Sequence, residues 1–154
     1  MISSVTSLTD DLKLKIFDLW NSNYPIDIAL KTEEDFSLYL AGLDNKTHFM
    51  IINSHDMLEA WMMTFSRDNK TQLAMIVDFN AQNKGLGSML LEKAKELNTS
   101  LYGWIVQSNE YKLVNGKSYK SPAAFYIKNG FEIQNDISLE NAPIKAERIY
   151  WGNK

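Results

Sequence analysis

The spacing of apolar and polar positions changes several times along the chain, and each change marks a new element. Thr9, followed by Asp10 and Asp11, reads as a helix cap with an acidic first turn. Leu12, Ile16, Leu19 and Trp20 then repeat at helical spacing until Asn21-Ser22-Asn23-Tyr24-Pro25 breaks the pattern. Thr32 opens a second helix, with Glu33, Glu34 and Asp35 in its first turn and Phe36, Tyr39, Leu40 and Leu43 as its buried stripe.

From Thr47 the pattern becomes strand-like. Three runs are predicted as a meander: THFMIIN, MLEAWMMTFS after a His55-Asp56 turn, and TQLAMIVDF after the polar turn Arg67-Asp68-Asn69-Lys70. The third run is almost continuously apolar, as suits a central strand covered on both faces. It leads into Gln82-Asn83-Lys84-Gly85-Leu86-Gly87, after which Leu86, Leu90, Ala94 and Leu97 mark a helix. LYGWIVQ predicts another buried strand, and a polar stretch through Ser108–Lys120 leads to Ser121-Pro122, which caps a short helix ending at Gly130. Apolar residues alternate at Phe131, Ile133, Ile137 and Leu139, and IKAERIYW after Pro143 gives a last strand. With no repeat or linker, this order predicts one mixed α/β domain over residues 1–154, partly antiparallel and parallel near the glycine turn.

A strand that delivers glycines to the first turn of a helix presents N–H groups with no later carbonyl to satisfy them, which attracts an anion such as phosphate. Alone, such a turn is equally read as tight packing. Leu90 stands where the dinucleotide fingerprint needs a third glycine, and Lys84 precedes the glycine where a nucleotide P-loop needs a lysine after it.

Composition narrows the chemistry. The 154 residues are 45% hydrophobic and 23% charged, the balance of a globular protein with a sizeable core. The absence of cysteine removes disulfides, thiolate zinc sites and cysteine nucleophiles. His48 and His55 lack the spacing of a helical metal-binding pair, so no metal is expected. A net charge of −3 with scattered basic residues argues against nucleic acid. Neither a membrane-spanning run nor a leader pattern opens the chain, so a cytoplasmic protein with no membrane partner is expected.

The turn Gln82-x-x-Gly85-x-Gly87, together with SPAAFYIKNGF some forty residues later, resembles the GNAT superfamily of acyl-CoA-dependent N-acyltransferases. The resemblance extends from about Thr47 to Phe131. It implies a mixed, mostly antiparallel sheet of about six or seven strands flanked by about four helices, with a parallel strand pair at the coenzyme A cleft. Residue by residue, it implies that Gln82, Asn83, Lys84, Gly85, Leu86, Gly87 and Ser88 hold the pyrophosphate of coenzyme A. The backbone of Val77, Asp78 and Phe79 pairs with the pantetheine arm. Tyr126 matches the tyrosine that stands near the thioester sulfur, where it donates a proton or hydrogen bond to the departing thiolate. Alternatively, Phe125 and Tyr126 are two packing aromatics on a short buried helix. Tyr119 stands where the family commonly has asparagine.

The implied reaction is acetyl transfer from acetyl-CoA to an amine by direct attack, with a small-molecule or peptide acceptor and a monomer or homodimer as the working state. A non-catalytic acyl-CoA-binding regulatory module of the same fold is the alternative. The attacking amine must lose a proton, and Glu59 and His48 rank above Asp78 as bases because Asp78 alternates away from Val77 and Phe79 unless a bulge intervenes. Trp20, Tyr24, Trp61, Trp104 and Trp151 suit either an acceptor pocket or the core. The polar tip from Asn109 to Lys120 suits either an active-site wall or an exposed loop.

Overall fold

The computed structural model describes residues 1–106, 110–139 and 145–152. The predicted ends Gln107, Ser108, Asn109, Pro143 and Ile144 lie outside them. Among the described residues the elements run β1 (Ile2–Val5), α1 (Asp10–Asn23), α2 (Glu33–Ala41), β2 (Asp44–Ile52), β3 (Leu58–Arg67), β4 (Lys70–Val77), α3 (Leu86–Leu97), β5 (Ser100–Ile105), α4 (Ala123–Lys128), β6 (Glu132–Leu139) and β7 (Ala146–Gly152). One sheet takes the strands in the order β1-β2-β3-β4-β5-β7-β6, with β4 and β5 parallel and every other pair antiparallel. No helix among the described residues is long and apolar enough to cross a membrane.

The caps of α1 and α2 form where the side chains predict them, whereas α4 starts one residue later than expected, with Pro122 as its N-cap and the Ser121 hydroxyl accepting from the Ala123 N–H at 3.2 Å. The Thr9 hydroxyl accepts from the Leu12 N–H, and Thr32 and Asp35 form a reciprocal capping box on α2. Strand β1 carries too little pattern to announce itself; it forms by pairing Ile2 with Ile51 and Val5 with His48 along β2. The segment after β4 also departs from expectation. The strand ends at Val77, and Phe79–Ala81 turns as a short 3₁₀ helix.

Alternation in the strands divides the core in two. Helices α1 and α2 bury Ile16, Leu19, Trp20, Phe36 and Leu40 against Met50, Trp61, Met63 and Ile76. On the other face, Leu90, Leu91 and Ala94 of α3 and Tyr126 of α4 pack on Phe49, Met62, Leu73, Leu101 and Ile149. Burying a side chain of this size contributes about 1.5–3 kcal/mol, so both helix pairs are held chiefly by these faces.

Candidate active site

Strands β4 and β5 pair only at Gln72↔Tyr102 and Leu73↔Gly103, then separate. Ala74–Val77 continue along β3 on one edge while the edge facing β5 has no strand partner among the described residues. A cleft therefore opens at the C-terminal ends of the two parallel strands, beside the glycine turn.

Gly85 caps α3 with φ +78°, a left-handed conformation that an L side chain enters at a cost of about 1–2 kcal/mol. A Cβ built there meets nothing within 4 Å, so the space over the turn is open. The first helical bond of α3 runs from the Met89 N–H to the Gly85 carbonyl, which leaves the N–H groups of Leu86, Gly87 and Ser88 ahead of it without a helical acceptor. No side chain caps them and no acidic residue occupies the first turn. The Gln82 amide reaches back to the Val77 carbonyl at 3.5 Å, and Asn83 is also left-handed, with φ +66°. This donor set suits a pyrophosphate. Gly87 has a further role: a Cβ there would lie 2.7 Å from the tip of the Phe125 ring, so any side chain at this position displaces that ring from its contact with α3.

Glu59 approaches the turn from β3. Ile51 faces Ala60 and Ile52 faces Leu58, which makes Glu59 the extra residue of a bulge. Its carboxylate, 19% exposed, lies 3.1 Å from the Lys84 ammonium, while its carbonyl accepts from the Asp78 N–H at 2.8 Å. Asn23, at the last residue of α1, holds the chain beyond β4. It accepts from the Phe79 N–H at 2.9 Å and donates to the Asp78 carboxylate at 3.1 Å. The N–H groups of Asp78 and Phe79 are therefore engaged within the protein, and the main chain of the cleft that lacks a strand partner on the β5 side among the described residues lies before them, on Ala74–Val77.

Tyr126 is 4% exposed on α4, with Phe125 and Phe131 edge-on at 5.2 and 5.4 Å. Burial, reinforced by the nearby Tyr119, holds its phenol well above the ordinary range, so it is protonated and a donor at neutral pH. Burial also raises Tyr24, with Tyr119 and Tyr126 among the neighbours adding to the shift. Tyr24 follows α1 directly as its C-cap residue, and Tyr119 belongs to the apolar cluster of Val106 and Leu113.

His48 lies on the α1/α2 face, 1% exposed and stacked on Trp61. The Trp61 indole donates to His48 Nδ1 at 3.1 Å, which requires the tautomer with hydrogen on Nε2. Burial, with the Lys46 charge second, lowers its pKa to about 4. Glu59 stands beside the glycine turn and Tyr126 is buried in the core under α3 and α4, whereas His48 belongs to the opposite core. Trp20 and Trp61 are likewise buried in that core, and Trp151 packs against the other. Among the described residues no three metal-ligating side chains assemble.

Asn23 and Lys117, whose ammonium lies 5.3 Å from the Phe79 ring centroid, contact the chain beyond β4 without any local motif, and Phe125 of the SPAAFYIKNGF motif packs against Gly87. The only signal from Asn23 was the polar break after the first helix.

The fold and cleft are those of a coenzyme A-dependent acetyltransferase. The family model for the acetyltransferase (GNAT) domain matches residues 44–133, more than half of the sequence, and the chain belongs to the GNAT acetyltransferases. It is similar in fold to an acetyltransferase of the GNAT family from Staphylococcus aureus Mu50, at 17% identity, TM-score 0.70 and full coverage of both chains. An aminoglycoside 6'-N-acetyltransferase complexed with coenzyme A matches at 13% identity and TM-score 0.69, over 99% of this chain and 96% of that one. The ribosomal-protein-S18-alanine N-acetyltransferase from Escherichia coli matches at 17% identity and TM-score 0.64, over 99% and 94%. No curated protein sequence matches it.

Proposed function

We propose that the protein transfers an acetyl group from acetyl-CoA to a primary amine by direct attack in a ternary complex. The observation that carries this reading is the parting of β4 and β5 beyond Leu73↔Gly103, with the donor turn at its mouth and Phe125, the neighbour of Tyr126, packed against Gly87 of that turn. The N–H groups of Leu86, Gly87 and Ser88 take the pyrophosphate, with Lys84 adding charge and Gln82, Asn83 and Gly85 shaping the turn. The free edge of Ala74–Val77 takes the pantetheine arm as an added strand, while Asp78 and Phe79, fixed by Asn23, end that path.

Glu59 takes the ammonium proton, directly or through water. The nitrogen lone pair then attacks the thioester carbonyl carbon; the C–N bond forms, the C–S bond breaks and its electron pair goes to sulfur. Tyr126 donates its proton to that sulfur, and the second proton shed by the nitrogen restores the phenol. His48, with Nδ1 occupied and its basicity lowered, stays outside this sequence.

A non-catalytic acyl-CoA-binding module is the second reading, favoured by the Lys84 contact that engages the proposed base. Release of free coenzyme A, followed with a thiol-reactive dye over a panel of amines, separates them; the chain has no cysteine to react with the dye. Amine-dependent thiol release supports the enzyme. Coenzyme A binding with no release for any amine supports the module.

A further inference from the structure

After β5 the chain forms a small hairpin. Lys112 and Ser118 bridge antiparallel, the Leu113 N–H donates to the Lys117 carbonyl at 2.8 Å, and Gly116 turns the tip with φ +83°. The hairpin does not stand free. The Ile26 N–H donates to the Lys112 carbonyl at 2.7 Å, and Ile28 packs with Val106, Leu113 and Tyr119 in a third apolar cluster. The Lys145 N–H donates to the Tyr111 hydroxyl at 3.2 Å, and Lys117 lies over Phe79. The hairpin therefore runs from the end of β5 to the end of β4.

The segment it meets is fixed as well. The Trp20 indole donates to the Ile28 carbonyl at 2.9 Å, and the Asn21 side chain makes two hydrogen bonds to the Leu30 backbone. Both walls are thus tied by hydrogen bonds or apolar packing to the rest of the fold. They meet on the α1 side of the sheet, whereas the glycine turn opens the cleft from the α3 side.

We infer that the hairpin Tyr111–Tyr119, seated on residues 25–30, closes the acceptor side of the cleft to polypeptides and makes the acceptor a small free amine. This rests on the acetyltransferase reading above. An extended peptide held beside a protein segment needs free main-chain groups and about 4.8 Å of lateral room. At this seam the Ile26 N–H and the Lys112 carbonyl already bond to each other, and apolar side chains fill the space behind them.

The test uses binding of sulfur-linked conjugates, so no acceptor need be known. One conjugate joins coenzyme A through an acetyl bridge to the N-terminus of an octapeptide; the other joins it to propylamine. Dissociation constants are measured by calorimetry for the full chain and for a variant with residues 112–118 replaced by Gly-Gly. The full chain is expected to bind the propylamine conjugate as tightly as coenzyme A and the peptide conjugate at least about tenfold more weakly, with the penalty falling to about threefold or less in the variant. If the shortened chain does not fold, Leu113→Ser loosens the same anchor at full length and reports through the same ratio. Equal binding of the two conjugates by the full chain overturns the inference, as does a tenfold penalty that survives loosening of the hairpin. Failure of plain coenzyme A to bind instead overturns the acetyltransferase reading, and this inference with it.

Discussion

The Lys84 ammonium at the glycine turn lies 3.1 Å from the Glu59 carboxylate of the β3 bulge, joining the proposed phosphate cation to the proposed base. The lysine is 55% exposed, so the pair itself contributes little to stability. Its consequence concerns function: a pyrophosphate at the turn competes with Glu59 for Lys84. Glu59→Gln should therefore bind coenzyme A as tightly as the parent, or more tightly, while turnover falls by about 10²–10⁴. Calorimetry and initial rates check this split. Unchanged turnover with a competent amine removes Glu59 as the base.

The two glycines of the turn should fail differently. Gly85→Val puts a side chain into open space at a positive φ, so coenzyme A affinity should fall sharply while the fold loses about 1–2 kcal/mol. Gly87→Ala drives a Cβ into the Phe125 ring, an overpacking that costs about 1–3 kcal/mol and lowers Tm by about 2–12 °C for a chain of this length. Thermal unfolding and coenzyme A titration of both variants check the contrast. Gly87→Ala unfolding at the parental temperature would show that α4 yields without cost.

His48 sets an acid limit on stability. Its pKa falls from 6.5 in the unfolded chain to about 4 in the fold, so between these values the unfolded state binds more protons. The stabilisation is present above about pH 6.5 and is lost as pH falls toward 4, when the ring must charge inside the core. Tm should decline over that window, and His48→Phe should flatten the decline. An equally steep decline in the variant assigns it to other groups.

Tyr119 and Tyr126 set the alkaline counterpart. Burial pushes Tyr119 up to about 12 and raises Tyr126 as well, so above pH 10 the unfolded chain gives up protons that the fold retains. Stability should be full below about pH 10 and decrease as pH rises through the raised values. Denaturant unfolding at pH 9 and pH 11 checks the sign; a midpoint that rises over this interval contradicts it.

The parts of the site visible in the sequence are those that local chemistry dictates. Gly85 and Gly87 follow a strand and open a helix, and Tyr126 belongs to a short helix bounded by Pro122 and Gly130, so local pattern places them and the resemblance to the GNAT family singles them out. The remaining parts depend on which distant residues meet. Nothing near Asn23 tells that it reaches Asp78 and Phe79, and nothing near Gly87 tells that Phe125 covers it. Alternation placed His48 on a strand, but the register with β3 put Trp61 against it and made it part of the core. Strand β1 was missed for the same reason: four residues with two exposed serines carry no period, and only the edge of β2 makes them a strand.

Tyr126→Phe removes one hydroxyl and keeps the ring between Phe125 and Phe131, so packing should survive. With a competent amine, kcat should fall about tenfold or more while the acetyl-CoA KM changes little, the pattern of an interaction made mainly in the transition state. A wild-type rate with chemistry rate-limiting makes Tyr126 a packing residue.

The most direct measurement is the shift in Tm on adding coenzyme A, desulfo-coenzyme A, ATP or NAD, each at saturation. A ligand that binds only the folded state stabilises it by RT ln(1 + [L]/Kd), about 2.7 kcal/mol at a hundredfold excess over Kd. For a chain of this length that corresponds to roughly 5–11 °C. Coenzyme A and its desulfo form should raise Tm alike, because the turn and the β4 edge grip the pyrophosphate and the arm, while ATP and NAD should raise it much less. An unchanged Tm with coenzyme A, beside a clear rise with the other nucleotides, would contradict the assignment of this cleft.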